Sequence, residues 1–153
     1  ERPFAAETVE AEAGRRAVDG VRVGATGSAG TPGASQRAAM AAWHERYRAA
    51  TAEAKGVYSR VDRIYRSGLG APAPADCSAL RRSASALVSG RSDALGAPEL
   101  RLAKDLQAAF EALVLFGETC EQGRTLEAIQ HYQEASQAFA RAATQLRPFA
   151  LEP

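Results

Sequence analysis

Eight apolar positions between residues 40 and 64 recur at a 3-4-3-4-3-4-3 spacing: Met40, Trp43, Tyr47, Ala50, Ala54, Val57, Val61 and Ile64. A repeat averaging 3.5 residues keeps one face of an α-helix apolar along its whole length. The pattern therefore predicts a long helix that must lay this seam against other helices. Ser35 suits its N-cap, and Gly68 and Gly70 supply a stop after Ser67.

Three further segments carry the same signature. Pro72 and Pro74 make a rigid turn, after which Asp76 opens a second helix with Cys77, Leu80, Ala84 and Leu87 on its seam. Arg91 interrupts that stripe before Ala94, and Gly96 and Pro98 break the helix. The third carries Leu102, Leu106, Ala109, Leu113, Phe116 and Cys120, widened by Phe110 and Leu115. After Gln122 and Gly123, the fourth offers Leu126, Ile129, Tyr132, Ala135, Phe139, Ala143 and Leu146, ended by Pro148. No segment shows the β-branched alternation of a strand.

The predicted helices span about 36–67, 76–94, 99–121 and 125–147. Short turns favour antiparallel neighbours, so the expected fold is all-α, an up-down-up-down four-helix bundle over 36–153. Two stacked helical hairpins are the alternative. Residues 1–35 read differently. Five glycines lie between Gly20 and Gly33, with Val21 and Val23 the only large apolar residues there, so this stretch is expected to be a flexible N-terminal tether.

Composition narrows the class without naming a function. The chain has 153 residues, 35 of them alanine, and is 46% apolar, normal for a folded domain. No run of 18 apolar residues occurs, so a membrane-spanning helix is not expected. Arginine outnumbers lysine 17 to 2 and asparagine is missing, a bias that a GC-rich genome would also produce.

Two cysteines are too few for a disulfide scaffold and lack zinc or CxxC spacing. Cys77 opens the second helix and Cys120 closes the third, so antiparallel packing brings them to one end of the bundle. Seventeen residues separate Ala94 from Cys77 and twenty-one separate Glu99 from Cys120, a mismatch of about 6 Å along the axis. A slight stagger allows a disulfide; the alternative is two buried thiols. A disulfide, together with a first residue, Glu1, that is not methionine, points to a mature periplasmic or extracellular protein.

Motifs for chemistry are sparse. His44 and His131 are the only histidines, and Glu127 with His131 has no second copy of the kind a di-iron site requires. Both histidines are expected to face solvent, and no metal or cofactor is expected. The serines of the second helix have no nearby histidine and no GxSxG elbow, and the glycines of the tether form neither GxGxxG nor a phosphate loop. Residues 112–135 resemble one tetratricopeptide unit through Leu115, Gly123, Ala128, Tyr132 and Ala135. The early Trp and the closing Pro are missing, and no copy recurs 34 residues away. The resemblance implies a helical hairpin and assigns no functional residue.

Charge is the more informative feature. Residues 36–70 hold seven basic and three acidic residues, and 98–153 hold five basic and eight acidic, within a chain whose net charge is only +1. The first helix is also the longest, so its seam is expected to project past its partners and expose Met40, Trp43 and Tyr47 at one end and Val61, Ile64 and Tyr65 at the other. The expected function is a non-enzymatic interaction or structural subunit that binds a protein partner or another copy through this helix. A cofactor-binding or enzymatic bundle is one alternative. Nucleic-acid binding is the other, since Tyr47, Tyr58 and Tyr65 are interleaved with arginine.

Overall fold

The computed structural model describes residues 30–68, 70–90 and 93–153. Most of the expected tether, and Arg91, lie outside them. Among the described residues there are four α-helices and no strand: α1 Ala34–Ser67, α2 Pro74–Val88, α3 Leu100–Glu121 and α4 Thr125–Leu146. A short 3-10 turn, Arg147–Phe149, follows α4. The helices form the expected up-down-up-down bundle.

Local chemistry explains three of the helix boundaries. Gly68 ends α1 with φ 65, and Gly123 turns the α3–α4 hairpin with φ 71, both in the left-handed region that a Cβ disfavours. Pro74 occupies the first turn of α2, where its missing N–H is no loss, and Asp76 places a carboxylate near the positive end of the helix dipole.

The second helix departs from expectation. It ends at Val88, not near residue 94, and the described residues before α3, 89–90 and 93–99, form an irregular connection. Ala94 continues the helical spacing in the sequence because it too is buried, but from a turn, alongside Leu95. Trp43 Nε1 donates to the Ala94 carbonyl at 2.9 Å, and that bond satisfies both groups inside the core.

The helices approach one another in two ways. Between α3 and α4 the contact is close, and alanine supplies it: Ala112 on α3 and Ala128, Ala135, Ala138 and Ala142 on α4 are all buried. Between α1 and α4 the gap is filled by rings. Tyr58 packs on Phe139 with centroids 5.2 Å apart, Tyr65 on Tyr132 at 4.7 Å, and Phe139 meets Phe110 of α3 edge-on at 5.4 Å.

Three positions expected on apolar stripes lie on the wrong side, among them Leu115 of α3, which is 43% exposed. Ala50 is exposed and Thr51 is buried in its place, its hydroxyl donating to the Tyr47 carbonyl at 2.7 Å. Leu126 is 84% exposed, and Ala128 takes the core position.

A close backbone approach also joins α2 to α3. A Cβ added to Gly117 would stand 2.5 Å from Arg81 Cβ and 2.9 Å from the Arg81 backbone. Only glycine fits here without moving a helix. Gly117→Ala gains about 1 kcal/mol of helix propensity but overpacks the contact by about 2–3 kcal/mol, the upper part of the usual range, because the clash is with backbone and Cβ. The variant is expected to lose about 1–2 kcal/mol of stability, read as a lower urea midpoint; a midpoint at or above wild type would show that α2 yields freely.

Candidate functional site

The residues expected to form an exposed interface are mostly core. Met40, Trp43, Tyr47 and Val61 are at most 1% exposed, and Ile64 and Tyr65 are partly buried. The seam of α1 does not project uncovered. At its Trp43 end it is covered by the Ala94–Leu95 turn and by the segment after α4. At the other end Tyr65 packs edge-on against Phe116. The part of α1 that overhangs, residues 34–39, is exposed and carries no large apolar side chain.

The tyrosines of α1 are likewise turned inward. Tyr58 OH and Ser136 Oγ share a hydrogen bond of 2.7 Å, and Tyr132 OH donates to Asp62, whose other oxygen accepts from Arg66 Nε at 2.8 Å. This cluster uses the rings for packing, so the aromatic half of the nucleic-acid expectation has no exposed stacking platform.

Polar groups on α1 form a second line, His44, Tyr47, Thr51 and Lys55. The strap, residues 150–153, lies along it. Ala150 takes φ 55, and Leu151 N–H donates back to the Leu146 carbonyl at 3.3 Å, which reverses the chain at the end of α4. His44 is 7% exposed, contrary to the expected solvent-facing histidine, and its Nε2 lies 2.6 Å from the Glu152 carbonyl oxygen. A carbonyl only accepts, so that nitrogen carries the proton. Lys55 Nζ donates to the Pro153 carbonyl and stands 5.7 Å from the Tyr47 ring centroid.

Burial holds the Lys55 ammonium below the usual lysine range, with the Glu152 carboxylate opposing and Arg48 adding to the shift. Burial also raises Tyr47. Thr51 moderates that shift, but its own proton goes to a carbonyl, and the phenol hydroxyl has no hydrogen-bond partner among the described residues. His131 is partly buried and pairs with Glu134 at 3.1 Å, one helix away from His44. Among the described residues no three His, Cys, Asp or Glu side chains gather as a metal site.

Cys77 and Cys120 meet at disulfide distance, with Cα atoms 5.7 Å apart. The register mismatch is absorbed because α2 is short and the irregular connection spans the remaining length of α3. Arg81 Nε pairs with Glu121 at 2.8 Å beside them.

Comparison with protein families, with curated proteins and with solved structures finds no match for this chain. The stretch resembling a tetratricopeptide unit is the α3–α4 hairpin, with Gly123 at its turn.

Two measurements follow from this geometry. Protein unfolded without reductant is expected to show no reactive thiol. The double variant Cys77→Ala/Cys120→Ala is expected to lose about 4 kcal/mol, from releasing a 43-residue closure in the unfolded chain; two thiols in the unreduced sample would show that the pair is not bonded.

The second concerns alkali. All four tyrosines have raised pKa values, burial being the first cause of each, and Tyr132 is pushed up to about 12. The neutral phenol is the form the fold prefers, so this stability is complete below about pH 10, the value of an unfolded tyrosine, and is lost from there toward 12. Lys55 works in the opposite direction and offsets part of the loss. Urea midpoints should hold to pH 9 and fall by pH 11, less steeply in Tyr132→Phe; an identical fall in that variant would remove Tyr132 from the account.

Proposed function

We propose that this protein acts by contact, as an interaction or structural subunit that meets an acidic protein surface through the solvent-facing arc of α1. The supporting observation is where the arginines stand. Arg60 pairs with Asp76 of α2 at 3.0 Å and Arg66 with Asp62, but Arg46, Arg48 and Arg63 carry no ion pair among the described residues. Interhelical pairs in α3 and α4, such as Arg141 with Asp105 at 2.9 Å, leave those helices with excess acid instead. Glu45 and Glu53 of α1 are exposed and also without an ion pair among the described residues, so they offset part of this charge, and the remaining positive excess steers and selects an acidic partner.

Contact is favoured over catalysis because the core's polar groups are used structurally. Trp43, Thr51 and Thr119 each donate to a backbone carbonyl, and His44 is bonded to the strap. We place the protein outside the reducing cytosol, in a periplasmic or extracellular setting. One fact supports this: the cysteines are at disulfide distance.

Charge reversal tests the reading. Cross-linking of the tagged full chain in its native compartment should capture a protein whose contact surface is acidic, and Arg46→Glu/Arg63→Glu should lose that product while unfolding at the wild-type temperature. Equal capture by both chains would overturn the role of the arc.

A further inference from the structure

The strap leaves a cleft beside it of about 360 Å³, bounded by His44, Glu45, Arg48 and Lys55 on α1 and by Ala150, Leu151 and Glu152 on the strap itself. We propose that this groove is a binding site for an extended peptide, of which the chain's own Leu151–Pro153 is the resident occupant. The ligand class is a short extended segment with an apolar residue followed by an acidic one.

Three features of the contact carry this. First, His44 and Lys55 both donate to main-chain carbonyls, those of Glu152 and Pro153. Such bonds hold any extended backbone and leave selectivity to the side chains. Second, the side chains have matching surroundings. Leu151 is partly buried against the core cluster, and the Glu152 carboxylate acts electrostatically on Lys55 with Arg48 close by. The unfilled cleft is lined by Arg48 and Lys55 and also by the Glu45 carboxylate, so an acidic side chain taking the place of Glu152 meets two cations and one acid there.

Third, the occupant is attached in a way that favours exchange. It follows Ala150, a non-glycine residue at φ 55, a conformation that L-residues adopt reluctantly. Glu152 itself is exposed, and on the same helix as His44 and Lys55 the Tyr47 hydroxyl is left without a partner among the described residues. An intramolecular segment competes at a high effective concentration, so the groove is expected to answer an outside peptide weakly until the strap is loosened. This site is separate from the arc carrying Arg46 and Arg63 and stands or falls independently of it.

The probe is a fluorescein-labelled peptide Phe-Ala-Leu-Glu-Pro, the sequence of residues 149–153, titrated with the full chain and followed by anisotropy. Wild type should bind it weakly. Leu151→Asp, which releases the strap but leaves the α1 wall intact, should bind at least about tenfold more tightly. A peptide carrying Asp for its Leu should not bind, and adding His44→Ala should weaken binding about fivefold, the loss of one buried hydrogen bond. If Leu151→Asp does not unfold cooperatively, Ala150→Pro serves in its place, because proline cannot adopt φ 55. A folded, strap-released chain that binds neither peptide, or binds both equally, overturns the proposal.

Discussion

The bundle is organised by how closely α2 lies on the last turns of α3. At Gly117 the two backbones stand nearer than any other residue type would permit, and the cysteine pair and the Arg81–Glu121 bridge hold the same end. Because α2 is anchored there and has only 15 residues, it covers about two-thirds of α3's length. The irregular connection must cover the rest. Its residues Ala94 and Leu95 become core, and the Ala94 carbonyl becomes the acceptor that seats Trp43. The placement of α1 at that end therefore derives from a contact made at the opposite end of α2.

Two modes of helix contact divide the remaining work. Alanine lets α3 and α4 approach closely, so their attraction comes from many short backbone-level contacts. Rings fill the wider gap between α1 and α4, and the hydroxyls at their tips are the reason this face can hold Asp62 and Ser136 without stranding them. Tyr47 is the exception. It is as deeply buried as Phe110 but carries a hydroxyl with no partner among the described residues, a feature that packing alone does not call for.

The helices and the antiparallel order were legible in the sequence because apolar spacing reports which stripe of a helix is hidden. Spacing does not report which neighbour hides it. A straight helix drifts by about 20° per heptad from a 3.5 repeat, so on α1 the buried line passes from Tyr47 to Thr51 and leaves Ala50 outside. Thr51 was illegible as core because its hydroxyl is satisfied within its own helix, a bond that polarity scales do not anticipate. Alanine hides in the same manner. It is equally at home in core and on surface, so Ala128 gave no sign that it would be buried while Leu126 stood in solvent. The end of α2 was obscured because a buried turn residue, Ala94, mimics one more turn of seam. The cysteine pairing survived that error, since the irregular connection supplies the slack that a longer helix would have removed.

His44 and the strap were not legible at all, and the reason bears on function. Nothing in the local sequence links residue 44 to residue 152; the link exists only because α4 reverses at Ala150 and returns along α1. Lys55 is partly buried by that return, and burial disfavours its charged form. Exposed lysines normally avoid such a position, and a surface ion pair contributes only about 0–1 kcal/mol, too little to require one. The strap's grip on α1 thus consists of two donors aimed at main chain, one leucine and a carboxylate beside a disfavoured cation. Those are the ingredients of recognising a peptide more than of closing a core, and of the unpaired arginines on α1 only Arg48 borders the cleft, while Arg46 and Arg63 are exposed elsewhere on the helix.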